Sequence, residues 1–298
     1  MKKKMPWPCT LILIAGLVGT SGAAAQPELA EAAADGVGEY LRDWSQSPAI
    51  QEIDTRQTLY VLGDFHGNMI PVMTALQANG VIAAVPDLSK TDWLAKVKWS
   101  AGPSVLVQVG DVITKGPYQV EALRFLIELQ RQAAVAGGRV VVVMGNNDAR
   151  FLFEPLSSGS SDVYNAFEKI QAGLALQVSK GIDAEGIGKW LRNLPVGLRV
   201  NGFYFQHNGH TEGLSIPQLE AKLRSVILPP GGTSMKWDDP RLMDEIDDYV
   251  EEPGSNPPVY RYGSSLLQMG LPNLDTAASG IEEHPHPYWW HPLYYEPV

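Results

Sequence analysis

The chain has almost no cysteine: one residue, Cys9, in 298. Cys9 lies ahead of a short apolar run near the amino terminus, so the body of the protein has no thiol. No internal disulfide can form there, and stability must come from packing. Catalysis by a thiol and metal ligation by cysteine are excluded with it. Basic charge is also scarce, with 23 Lys and Arg against 33 Asp and Glu and a net charge of −10 at pH 7. So little positive surface argues against nonspecific nucleic-acid binding, but a small phosphorylated ligand needs only one local positive site. No apolar run approaches the ~20 residues of a membrane-spanning helix. There is no internal repeat and no low-complexity tract. A Gly-x-Ser-x-Gly elbow and a glycine-rich loop ending in Lys-Ser or Lys-Thr are both missing.

What is present is the composition of a globular protein, 45% hydrophobic and 19% charged. The first segment has its own character. Lys2, Lys3 and Lys4 precede an apolar run at residues 11–18, and Ala23, Ala24 and Ala25 then offer a small-residue cleavage site. That order is the pattern of a secretory signal peptide, with Gln26 as the first mature residue. The expected location is periplasmic or secreted. Removing residues 1–25, which carry three Lys and no acid, takes the net charge to −13.

Residues 26–55 are Ala-rich and acidic, with helical spacing near Tyr40, Leu41 and Trp44, and are expected to form a leader with one surface helix. Beyond them a pattern repeats. Apolar runs of strand length at 58–62, 104–109, 139–144 and 203–206 each end in a polar cluster, and the first three lead into helical stretches, most clearly 118–136. Near-continuous apolar strands alternating with helices indicate an α/β sheet buried on both faces. Residues 198–200 and 203–205, joined by Asn201-Gly202, read as a hairpin with a two-residue turn. Segments 80–103, with Trp93 and Trp99, and 229–258, with a helix expected over 241–250, read as insertions. The glycines of 181–188 read as a loop entering a helix. Residues 284–298 form an aromatic and Pro-rich tail that cannot be a regular helix. The resulting division is signal peptide 1–25, leader 26–55, one main domain 56–283 and tail 284–298.

The chemistry sits where strands end. The four runs lead into Gly63-Asp64-Phe65-His66-Gly67, Gly110-Asp111-Val112-Ile113-Thr114-Lys115-Gly116, Gly145-Asn146-Asn147-Asp148 and Gln206-His207-Asn208-Gly209-His210. In open α/β sheets such carboxyl ends carry the active residues. Carboxylate, amide and imidazole donors suit Mn, Fe or Zn.

This series resembles the calcineurin-like metallophosphoesterases, and more closely their serine/threonine phosphatase branch, over residues 58–265. The family pattern runs Gly-Asp-x-His-Gly, Gly-Asp-x-x-Asp-Arg-Gly, Gly-Asn-His-Glu/Asp and a His-Gly pair, with a Trp-x-Arg element and a final Gly-His later. The resemblance implies a two-layered β-sandwich core flanked by helices and a centre of two divalent ions. It places Asp64 and His66 as ligands of the first ion, Asp111 as the bridging carboxylate, and Asn146 and His207 as ligands of the second. Lys115 and Arg261 match groups that hold phosphate. The final ligand has no clean counterpart; His284, His286 and His210 are the candidates.

The departures bear on activity. The family's proton-donating His is Asn147 here, which cannot transfer a proton at neutral pH; such acid help is worth about 10²–10⁴-fold. Asp148 is the candidate replacement. Thr114-Lys115 replaces Asp-Arg, and Lys lacks the bidentate fork of Arg. The resemblance implies metal-dependent hydrolysis of phosphomonoesters, on a small molecule or a phosphoprotein. Loss of the His leaves two alternatives open: a pseudophosphatase that binds without turnover, and a phosphodiesterase. Oligomeric state has no signature in the sequence.

Overall fold

A computed structural model describes residues 38–43, 45–207 and 215–227, together with three short strands at 9–12, 249–251 and 260–262. Among these residues two sheets face each other. The first is parallel, in the order β1 (Cys9–Ile12), β3 (Leu59–Leu62), β4 (Val105–Gln108), β5 (Arg139–Val142). The second holds β2 (Ile50–Ile53), β6 (Gly197–Val200) and β7 (Phe203–Gln206), with β2 parallel to β6 and β6 antiparallel to β7.

Strand side chains alternate between faces, and here both faces are apolar. Leu59, Val61, Val105, Val107, Val109, Val141 and Val143 point one way, meeting Ile53, Leu198, Val200 and Phe205 of the second sheet. Leu62, Leu106, Val140, Val142 and Met144 belong to the larger cluster on the helical side. The result is the sandwich that the resemblance implied, with α1 (Met69–Ala78), α3 (Gln119–Val135) and α4 (Asn146–Phe153) following β3, β4 and β5. Helix α3 buries Val120, Leu123, Leu126, Leu129 and Ala133, the three- and four-residue spacing of one helical face. A short α2 (Trp93–Lys96) follows in the first insertion, where Trp93 is buried. Beyond α4, helices α5 (Ser161–Ile170), α6 (Leu174–Ser179) and α7 (Ile187–Arg192) precede β6, and α8 (Ile216–Ile227) follows β7. The 181–188 loop enters α7 as expected. At the β6–β7 turn Asn201 takes φ 53°, the left-handed geometry of such hairpins.

The leader reading is corrected. Residues 38–43 contain no helix, and 50–53 form β2, paired with β6 in the second sheet. Buried Arg42 ties this stretch down by donating to the carbonyls of Ser47, Pro48, Arg192 and Leu194 at 2.8 to 3.4 Å. Arg192, also buried, reaches back to Glu39 and to the Tyr40 carbonyl. The segment is part of the fold because it closes off the exposed carbonyls at the end of α7. Most of the helix expected over 241–250 lies outside the described residues. Its last two positions, Tyr249 and Val250, belong to β8 (Tyr249–Glu251), which pairs antiparallel with β9 (Tyr260–Tyr262). No described helix is long and apolar enough to cross a membrane.

Candidate metal centre

Strands β3, β4 and β5 are parallel neighbours, so their carboxyl ends lie side by side. The hairpin brings the end of β7 to the same edge. Two glycines make the approach possible. A side chain on Gly145 would place its Cβ against the Asp111 amide and carboxylate, and one on Gly110 would meet both Gly145 and His207. His66 and Asp111 are held at φ 49° and 52°. Strained backbone of this kind in non-glycine residues persists where surrounding contacts enforce it, and it clusters at functional sites.

Asp64, His66 and Asp111 form one cluster, with ligand atoms all within 4.8 Å of one another. Asn146 and His207 form the adjoining half. His207 Nε2 lies 3.0 Å from Asn146 Oδ1 and 3.4 Å from Asp111 Oδ1, and His207 Nδ1 is 3.5 Å from Asp64 Oδ1. All five side chains that the resemblance nominated as ligands therefore meet at one place. Each imidazole is oriented from behind. His207 Nδ1 is 2.8 Å from the Val109 carbonyl, and His66 Nδ1 is 3.2 Å from that of Ile113, which leaves each Nε2 turned toward Asp111. Orientation by a backbone carbonyl is usual for metal-binding histidine.

The electrostatics are those of a site built around positive charge. Burial, reinforced by Asp111 and Asp148 against the opposing pull of His207, pushes the Asp64 carboxyl up to about 7. Burial and Asp111 push Asp148 up to about 7. Burial disfavours a charged His207, but Asp111 and Asp64 outweigh it and raise the imidazole to about 9. Burial would raise Asp111 as well, yet His207, His66 and the Asn147 hydrogen bonds hold it below the usual carboxylate range. Burial pushes His66 down, with Lys115 adding to the effect and Asp111 opposing it.

The residues fit a divalent cation on two observations. His207 Nε2, Asn146 Oδ1 and Asp111 Oδ1 converge, and with Nδ1–H given to Val109 a proton or a metal on Nε2 would offset the convergence of three lone-pair atoms. In addition, Asn146 Nδ2 is buried without a hydrogen-bond partner, so this amide is placed for its oxygen alone. Asp64, with 24% of its side chain exposed against 3% for Asp111 and His207, marks the open side.

The other nominated residues divide. Asn147 is buried, and its backbone and side-chain N–H groups both donate to Asp111. Asp148, the candidate replacement acid, is held against the backbone. It is fully buried, and its oxygens accept from the amides of Gly145, Val112 and Ile113 at 2.9, 3.1 and 3.3 Å. Lys115 is exposed at the mouth, at φ 67°, and its charge is felt by both Asp64 and His66. Arg261 lies in β9, opposite Val250, and its side chain is outside the described residues. His210, His284 and His286 also lie outside them.

Two supporting residues escaped sequence reading. Gln108 is fully buried at the end of β4, where its amide bonds both backbone groups of Gly110 and reaches the Gly63 carbonyl. Gln119 holds the Thr114 amide and the Gly116 carbonyl. The available signal was a single amide side chain in the otherwise apolar run 105–109.

A family model described as calcineurin-like phosphoesterase matches residues 58–265. Among relatives, Shewanella-like protein phosphatase 2 of Arabidopsis thaliana is 30% identical over 35% of this chain and 24% of its own length. A symmetrical bis(5′-nucleosyl)-tetraphosphatase of Janthinobacterium sp. (strain Marseille) is 27% identical over 45% and 44%. The solved structure of a cold-active protein tyrosine phosphatase aligns with a TM-score of 0.47 and 22% identity, covering 66% of this chain and 53% of that one. The chain spans less than half the length of the curated relatives it matches. The family match extends over more than half of the chain and takes in all five converging side chains, and the protein belongs to the calcineurin-like phosphoesterase family.

Proposed function

We propose that this hydrolase acts on phosphomonoesters, carried by a small molecule or a phosphoprotein, at a centre of two divalent ions drawn from Mn, Fe and Zn. The observation that carries the reading is the convergence of Asp64, His66, Asp111, Asn146 and His207 from four strand ends. Bound there, the ions would activate a water and neutralise phosphoryl oxygens. Asp111, facing both halves of the site, would be shared between them. Lys115, exposed at the open side beside Asp64, supplies positive charge for the phosphate. Asn147 moves no proton and contributes hydrogen bonds to Asp111 instead.

A second reading, binding without turnover, is favoured by that same Asn147, because the candidate replacement acid, Asp148, is committed to three backbone amides. The tetraphosphatase relative supports a third, cleavage of diesters or anhydrides whose leaving groups need little protonation. The test is hydrolysis of p-nitrophenyl phosphate, bis-p-nitrophenyl phosphate and diadenosine tetraphosphate with added Mn²⁺, beside Asp111→Asn. Monoester turnover lost in Asp111→Asn supports the first reading. Turnover confined to the other two substrates supports the third. No turnover of any, with Mn²⁺ bound, supports the second.

Export belongs to the same proposal, supported by Lys2–Lys4, the apolar run at 11–18 and Ala23–Ala25. Cleavage there would take β1 from the sheet and leave β3 at its edge. Amino-terminal sequencing of the mature protein should begin at Gln26, and a first residue within 1–12 would rule the cleavage out.

A further inference from the structure

The two carboxylate oxygens of Asp111 are divided between the halves of the site. Oδ2 faces His66 Nε2 at 3.6 Å, and Oδ1 faces His207 Nε2 at 3.4 Å. A carboxylate is symmetric, and rotation about its last bond would swing both oxygens away from these directions. One residue stops that rotation. The Asn147 backbone N–H donates to Oδ1 at 2.9 Å, and its side-chain Nδ2 donates to Oδ2 at 2.5 Å. Two donors from a single residue on two oxygens fix the plane of the group as well as its position. The platform is rigid. Asn147 is the second residue of α4, and the helix start is pinned through Asp148 to the amides of Gly145, Val112 and Ile113.

We infer that Asn147 is a positioning residue which fixes the orientation of the Asp111 carboxylate between the two halves of the site. This rests on the metal-centre reading above and adds to it. The substitution that removes a proton donor supplies the grip that keeps a paired site paired. Without the side-chain donor, Asp111 keeps only the backbone hydrogen bond from this residue, and its carboxylate would be held less firmly between the two halves. Removal of an outer hydrogen-bond partner of a metal ligand typically costs about 10–100-fold in affinity.

The experiment is a Mn²⁺ titration of the metal-free full chain by calorimetry, with electron paramagnetic resonance of the loaded samples. It compares wild type, Asn147→Ala, Asn147→His and Asp111→Asn. Wild type should bind two ions with an exchange-coupled spectrum. Asn147→Ala suits a helix start and should keep the thermal midpoint of the metal-free protein within a few degrees. It should bind the second ion at least 10-fold more weakly and show an isolated six-line Mn²⁺ signal. Asn147→His restores an N–H donor and should recover the coupled signal, which a general packing defect would not do. Equal second-site affinity and an unchanged coupled spectrum in Asn147→Ala would overturn the inference while leaving the metal centre standing. Wild type binding no Mn²⁺, or binding it as tightly as Asp111→Asn does, would overturn both.

Discussion

His207 and Asn146 meet at 3.0 Å, Nε2 to Oδ1, inside a site where the other ring nitrogen of His207 is already committed to the Val109 carbonyl. With no metal, a proton on Nε2 makes this contact favourable, and the flanking carboxylates stabilise it by raising the imidazole to about 9. A cation bound at Nε2 must displace that proton. Mn²⁺ binding near pH 7.5 should therefore release protons, seen as a binding enthalpy that varies with the ionisation enthalpy of the buffer. An enthalpy independent of buffer would mean that Nε2 is not a ligand.

Stability of the metal-free protein should fall as pH rises. Asp64 and Asp148, raised from 3.8 to about 7, contribute stability that is complete below about 4 and lost on the way to 7. His207, raised from 6.5 to about 9, contributes stability present below 6.5 and lost through 9. His66, pushed below 6.5, works in the opposite direction. The thermal midpoint of the metal-free protein should be higher at pH 5 than at pH 8.5, and Asp64→Asn should flatten the slope. A midpoint that climbs across this range would show that the cluster is not electrostatically strained.

Asp148→Asn separates a brace from an acid. The amide keeps one acceptor oxygen where three backbone amides need two, so one buried N–H loses its partner at a cost of about 1–3 kcal/mol. Denaturant unfolding should show this loss, and kcat/KM should drop without any change in the shape of its pH profile. If Asp148 supplied the proton, a limb of that profile would disappear.

Gln108→Leu tests the support beneath the two metal loops. It removes the amide that bonds both backbone groups of Gly110 and reaches Gly63, the residues just before Asp111 and Asp64. Loss of about 2 kcal/mol in stability is expected from the stranded backbone groups. A weakening of Mn²⁺ binding should accompany it, and retention of wild-type affinity would show that the loops hold their spacing unaided.

Arg42→Met keeps the apolar stem of the side chain and deletes the donors to four carbonyls. The guanidinium is buried, and burial pulls it down to about 9 against the opposing charge of Glu220. A loss of roughly 2–4 kcal/mol is expected, since several buried acceptors are stranded at once. Limited proteolysis should then cut within residues 38–49. Unchanged protection there would show that β2 alone anchors the segment.

What the sequence determined by itself was local. Each of Asp64, Asp111 and Asn146 follows a glycine at the end of an apolar run, and His207 follows the strand that the Asn201-Gly202 turn sets up. Strand, turn and polar cluster are encoded within about ten residues, so the five candidate ligand positions at the strand ends and the order of β3, β4, β5, β6 and β7 were legible from the chain. The tertiary structure decided everything that depends on residues distant in sequence. Strand β2 is four residues long, too short to show a period, and exists because β6, 147 positions further on, offers it a partner. Whether Asp148 faces the cleft or the backbone, and whether Asn147 points at Asp111 or at solvent, depends on how α4 meets a loop that precedes it by 36 residues. Patterning specifies which residues reach the sheet edge, but hydrogen bonds across that edge require a packed core to hold both sides still. That packing set the Asp148 carboxylate against three backbone amides and turned Asn147 onto Asp111.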